Sequence, residues 1–210
     1  MTPGTGLDRR DALGLLGMLG LAGLGLTACG NDDAAAEATA DPAAIPHSAT
    51  RLSVTPGLPY EQVVRRFEKT VPALPLDQMK AGLAKGKIAD VRTLLAQGSA
   101  VRMYLFYALD VTPFMAAAGH SGKAKTYLMG NPLIAEKMFA LDPGVMLYAP
   151  LRVLIHTDAA GAAHFVMDRP SELFASFGNA DIAATGTQID ATLANLLTTM
   201  KFAVPAALKT

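Results

Sequence analysis

An uncharged, apolar run from Ala12 to Ala28 ends at the only cysteine of the sequence, Cys29. Arg9 and Arg10 precede the run, and a charged segment followed by an apolar one is the order found in export signals. The run is rich in glycine and shorter than the roughly 20 residues that a stable membrane span needs. It therefore predicts a removable signal over residues 1–28, which takes no part in the fold.

The residues before the cysteine, Leu26, Thr27 and Ala28, resemble the lipobox of bacterial lipoproteins. Small residues there let the signal peptidase approach the backbone, and the thiol of Cys29 is the atom that receives diacylglycerol. Residues 29–50 are rich in Ala, Asp and Pro and have almost nothing to bury, which predicts a flexible tether. We expect an exported protein, held by lipid at the outer face of the cytoplasmic membrane or at the outer membrane.

The arginine pair also resembles a twin-arginine signal, the kind used by proteins that fold before export. Arg9, Arg10 and Leu13 fit that pattern, but Ala12 stands where a large apolar residue is usual. The twin-arginine route and the general export route therefore both remain open.

Composition limits the partners of the remaining segment, residues 51–210, which is long enough for one domain. The chain has 18 Lys and Arg residues against 18 Asp and Glu residues, and phosphate binding needs concentrated positive charge, so a nucleic-acid partner is not expected. A single cysteine permits no internal disulfide and no cysteine-rich zinc site.

Apolar spacing and turn residues predict the secondary structure of this domain. Predicted helices are 60–71, 77–97, 133–141, 170–177 and one around 189–200, and predicted strands are 52–54, 101–109, 125–129, 151–157 and 162–168. Strand 101–109 is expected to be buried because it is rich in aromatic and branched residues. Short connections between strands favour an α+β fold with a mainly antiparallel sheet.

The clearest hairpin joins strands 151–157 and 162–168 through a turn in which Gly161 can adopt a positive φ. With a three-residue bulged loop, His156 faces His164 and Arg152 faces Asp168 on one side of the sheet. A shift of one residue would separate the two histidines.

These four residues form the first candidate site, either as a ligand-binding surface or as part of a copper, zinc or haem site with His156 and His164 as ligands. The second candidate is the strand-to-helix elbow at Gly130 and Asn131. Asn131 could cap the following helix, or the exposed amides there could bind an anion.

No pattern supports catalysis. The remaining acid–base groups show no spacing that pairs them, and the chain lacks a GxSxG nucleophile motif. These groups are Asp110, His120, Glu136 and Asp142.

The segment from Tyr127 to about Leu197 resembles the bacterial domain-of-unknown-function family 302. The matching pieces are the elbow at 130–132, the stretch 147–155, the hairpin turn at 158–161, and 168–170 before a Leu/Phe helix. The resemblance implies a small α+β domain with a curved sheet, helices on one face and a TATA-box-binding-protein-like topology. Such domains are often dimeric, so a homodimer is a further expectation. The helical material at 72–100 departs from the family pattern.

These observations predict a lipid-anchored binding or accessory module whose ligand, protein partner and resident cofactor are not identified by the sequence. Metal or haem handling through the two histidines is the alternative, and an uncharacterised enzyme is a further one.

We expect Cys29→Ala to abolish lipid labelling and to release the protein from the membrane fraction, because the acylated thiol is the predicted anchor. Metabolic lipid labelling followed by cell fractionation measures both effects. A variant that stayed in the membrane fraction would place the anchor elsewhere.

Overall fold

Five strands form one antiparallel sheet. The computed structural model that shows this sheet describes residues 44–209. In chain order the strands are β1 (Arg51–Val54), β2 (Tyr104–Asp110), β3 (Ala124–Gly130), β4 (Leu151–Thr157) and β5 (Ala163–Asp168). Across the sheet their order is β1-β5-β4-β3-β2, so β1 and β2 are the edge strands.

The helices of the described residues connect and cover these strands. They are α1 (Tyr60–Thr70), α2 (Leu76–Ala84), α3 (Ile88–Gln97), α4 (Thr112–Ala117), α5 (Pro132–Phe139), α6 (Pro170–Ala175) and α7 (Ala180–Thr199), with short 3-10 helices at Pro143–Leu147 and Ala206–Leu208. The predicted α+β class with an antiparallel sheet is confirmed.

Buried and more exposed side chains alternate along β4 and β5, and this alternation determines which face of the sheet the helices cover. Val153, Ile155, Phe165 and Met167 are buried, while the residues between them point to the other face. Because side chains alternate across a strand, this pattern gives one apolar face and one open face. Gly161 has a φ of 82° in the connecting turn, as the hairpin pattern requires.

Helix α1 packs on the apolar face through Phe67, which is fully buried. Its ring lies 4.9 Å from the ring of Tyr127 on β3 and 5.4 Å from that of Phe165 on β5, both in edge-to-face geometry. Aromatic pairs in this geometry add to the stabilisation that burial alone provides. This one residue therefore joins the helix to two strands.

Helices α6 and α7 approach each other closely because Gly186 has no side chain. A Cβ there would lie 3.0 Å from Cβ of Phe174 and 3.1 Å from Cα of Ser171. Nearby, the buried carboxylate of Asp190 accepts hydrogen bonds from Nε of Arg169 at 2.8 Å and from the backbone N–H of Ser171 at 3.0 Å. The buried charge is thus compensated by a cation and an amide.

The prediction of a single helix over 77–97 is wrong, since α2 ends at Ala84 and α3 begins at Ile88. Gly86 lies between them with a φ of 67°, a left-handed conformation that ends a helix. Leu83 and Ile88, which extend the apolar pattern across the break, are 53% and 59% exposed.

The prediction of a buried strand at 101–109 is also wrong in part. Strand β2 begins at Tyr104, lies at the sheet edge and is exposed from Phe106 onward. Helix α4 was not predicted. Helix α7 begins at Ala180, well before the predicted start near residue 189, because the side chain of Asn179 caps it.

We expect Asp190→Ala to lower the free energy of unfolding by about 2–3 kcal/mol, because it removes hydrogen bonds to a charged group and leaves the Arg169 guanidinium without that carboxylate. Urea denaturation measures the change. Asp181→Ala, in the exposed first turn of the same helix, is the matched control, with an expected cost below about 1 kcal/mol. Equal effects in the two variants would contradict the importance of the buried carboxylate.

Candidate functional site

The four sequence-predicted residues of the hairpin come together on the open face of the sheet. The register pairs His156 with His164, and their imidazole rings stack with centroids 5.2 Å apart and planes 18° from parallel. Beyond them, Nη2 of Arg152 lies 3.9 Å from Oδ2 of Asp168. All four residues line an open groove of about 780 Å³.

Hydrogen bonds fix the ring of His164. Its Nε2 lies 3.0 Å from Oδ2 of Asp158, and its Nδ1 lies 3.1 Å from Oγ1 of Thr55. The other carboxylate oxygen of Asp158 accepts the backbone N–H groups of Ala160 and Ala162. The hydrogen bond with His164, followed by those backbone bonds, holds the pKa of the Asp158 carboxyl below its usual range. Both nitrogens of His164 are therefore engaged within the protein.

His156 donates from Nδ1 to the carbonyl of Thr157 at 3.1 Å. Among residues 44–209, no group of three or more His, Cys, Asp or Glu side chains is placed to hold a metal ion. A metal site requires three or four converging ligands, and the groove supplies two adjacent imidazoles, one of which is already engaged.

The elbow side chain makes two hydrogen bonds. Oδ1 of Asn131 accepts the backbone N–H of Leu133 at 2.9 Å, and its Nδ2 donates to the carbonyl of Arg102 at 2.8 Å. Asn131 thus caps α5 and also ties this helix to the segment before β2, whereas Gly130 ends β3 beside Pro150. The geometry is that of a helix cap.

A second site lies behind the elbow and was not predicted: an apolar cavity of about 310 Å³ between the end of β3, helix α5 and the first 3-10 helix. Its deep wall consists of buried side chains from five different elements or their flanks. These are Met103, Met138, Leu151, Phe174 and Ile189.

Three large apolar side chains line the opening of this cavity and are exposed to solvent. Phe106, Phe139 and Met146 are 40%, 49% and 46% exposed, and we call them the mouth. Phe106 lies at an irregularity in the pairing of β2 with β3, between Leu105 and Tyr107. A bulge of this kind redirects a side chain, which places the phenyl ring at the opening.

The cavity offers few polar groups to a ligand. Among the described residues that line it, Glu136 is the charged one, and its carboxylate accepts a hydrogen bond from Nη1 of Arg92 at 2.8 Å. The amide of Asn131 also lines the cavity but is used in capping. Such a lining can accommodate hydrocarbon, and its two polar side chains already have partners.

The other acid–base groups identified in the sequence do not gather around either site. The carboxylates of Asp110 and Asp142 accept the backbone N–H groups of Thr112 and Gly144, and His120 follows α4. These carboxylates have the local capping contacts typical of Asp in turns.

The predicted export and lipidation residues lie outside the described residues. They are Arg9, Arg10, Leu26, Thr27, Ala28 and Cys29. Within residues 44–209, no helix is both long enough and apolar enough to span a bilayer.

The chain is a small α+β domain. It has an antiparallel sheet with helices on one face and a polar groove on the other, and an apolar cavity lies beside the end of β3. The model of the family named domain of unknown function DUF302 matches residues 90–200, and the chain belongs to this family. The resemblance found in the sequence is confirmed.

One solved structure supports the fold independently. An uncharacterized conserved DUF302 protein from Bacillus stearothermophilus matches with a TM-score of 0.50 at 14% identity, and the match covers 72% of this chain and 97% of that one. No curated protein matches the chain.

We expect titration with Zn²⁺ or Cu²⁺ to show no uptake that depends on the histidine pair, because the groove supplies too few free ligands. Calorimetry on a Cys29→Ala chain, which lacks the competing thiol, measures the affinity with and without the additional changes His156→Ala and His164→Ala. Tight binding that is lost with both histidines would instead establish the metal alternative.

Proposed function

We propose that this protein is an exported, lipid-anchored binding module that holds a small apolar ligand in the cavity behind the elbow. The observation that carries the proposal is the cavity itself: an apolar space of about 310 Å³ that opens through the mouth. Ligand sites in proteins are concave, mostly apolar and about 300–1,000 Å³ in volume, so this cavity is at the small end of that range.

The energetics favour an apolar occupant over water. Removing apolar surface from water contributes about 25 cal/mol per Å². Water in the cavity would need two to four polar partners, but the side chains of the lining other than Glu136 and Asn131 are apolar. A hydrocarbon group fits this lining without leaving polar atoms unsatisfied.

The anchoring part of the proposal rests on the sequence. It comprises a signal over 1–28, a lipid-bearing Cys29 followed by a tether to residue 50, and one folded domain over 51–210. Binding from a membrane-tethered position suits a ligand that is poorly soluble in water.

We expect the uncharged fluorescent probe phenylnaphthylamine to bind the chain and Ala135→Phe to abolish that binding. Ala135 lines the cavity from α5, and a phenyl ring there takes up part of its volume. Fluorescence titration measures binding, and thermal unfolding checks that the variant is folded. Ala89→Phe, at an exposed position of α3 away from the cavity, is the matched control and should bind as the unchanged chain does.

Binding that Ala135→Phe leaves unchanged would place the probe elsewhere and overturn the proposal. Failure of the unchanged chain to bind would do the same.

A further inference from the structure

We infer that the ligand of the cavity is a hydrocarbon chain of a membrane lipid, taken up where the mouth rests on the bilayer. The inference rests on the proposed function and adds the class of the ligand and its source.

The mouth continues the apolar lining of the cavity onto the protein surface. Its side chains come from three separate elements, β2, α5 and the 3-10 helix Pro143–Leu147, and each is at least 40% exposed. Leu147, next to Met146, is 77% exposed. Large apolar side chains grouped around an opening mark a binding surface, whereas scattered ones do not.

His47, in the segment before β1, contacts a neighbour of the cavity wall. Nε2 of His47 lies 3.1 Å from the hydroxyl of Tyr148, and the two rings are 5.8 Å apart. Tyr148 in turn packs edge-to-face against Phe174 of the cavity wall, at 6.4 Å. Ile45, two residues before His47, is 71% exposed. The segment before β1, which leads toward the predicted lipid anchor, is therefore connected through Tyr148 to the wall of the cavity.

The local charge favours hydrocarbon over a charged headgroup as the part that is recognised. The charged residue of the lining, Glu136, is paired with Arg92, so the pair adds no net charge. Recognition of anionic lipid relies on clusters of Lys and Arg, which the lining does not contain. Apolar insertion at an interface instead scales with the apolar area that is buried.

The volume also indicates how the lipid would sit. At about 310 Å³, the cavity is at the small end of ligand sites, so a long chain would be enclosed only in part. The remainder would cross the apolar side chains of the mouth, and the headgroup would stay in water. A linear hydrocarbon chain can contact the cavity lining and the side chains of the mouth at the same time.

Electron paramagnetic resonance tests the inference. The chain carrying Cys29→Ser and lacking the predicted signal 1–28, which has neither the apolar run nor a lipid of its own, is mixed with neutral phosphatidylcholine vesicles that contain a phosphatidylcholine spin-labelled on its acyl chain. We expect an immobilised spectral component from lipid held in the cavity. Ala135→Phe should lose this component and Phe139→Ser should weaken it, whereas Phe114→Ser should retain it.

Phe114 is the matched control because it is 73% exposed and is not part of the cavity lining. Phe139 is exposed, so its replacement keeps the test available if Ala135→Phe does not fold. An immobilised component of equal size in Phe139→Ser and Phe114→Ser would overturn the inference. So would a component that appears only with anionic lipid or disappears at high salt, because either result would assign recognition to charge.

The two proposals can fail separately. If phenylnaphthylamine binds in solution and Ala135→Phe abolishes that binding, but no immobilised lipid is seen, the cavity binds an apolar ligand that is not a membrane lipid, and only the further inference falls. If neither the probe nor the lipid is bound, both proposals fall.

Discussion

The packing of the Phe67 ring between those of Tyr127 and Phe165 joins the helical layer to the sheet. It holds α1 against β3 and β5, on the face that the alternating residues of β4 and β5 make apolar. The hairpin residues that alternate with the core must then point outward, which brings His156 and His164 together on the open face. The aromatic cluster and the strand alternation together thus place the core on one face and the polar groove on the other.

Much of the fold could be predicted because its signals are local. Gly161 in the turn and the alternation of β4 and β5 predict facing histidines if the loop is the three-residue bulged kind, and the structure has this register. Asn131 before Pro132 was enough to predict the elbow. Strand β2 was misread because an apolar run does not reveal whether its side chains meet the core or line an opening at the sheet edge.

The cavity could not be predicted, because its lining extends from Met103 to Ile189 and joins elements that have no local relation in sequence. Only the exposure of Phe106, Phe139 and Met146 in the folded chain distinguishes them from ordinary core residues.

The polar groove and the apolar cavity differ in whether their side chains already have hydrogen-bond partners within the protein. Both nitrogens of His164 are engaged within the protein, whereas the apolar side chains of the cavity lining need no hydrogen-bond partner. The imidazole of His164 is therefore less available to a ligand than its residue type suggests.

The thioether of Met146 gives the mouth a chemical sensitivity that its phenylalanines lack. Oxidation to the sulfoxide would turn a flexible apolar side chain into a polar one at the entrance of the cavity, and exposed methionines are the accessible ones. Met103 and Met138, deeper in the same wall, are almost fully shielded from solvent. Under oxidants, Met146 would therefore be oxidised before Met103 and Met138, and the entrance of the cavity would become polar while its interior remained apolar.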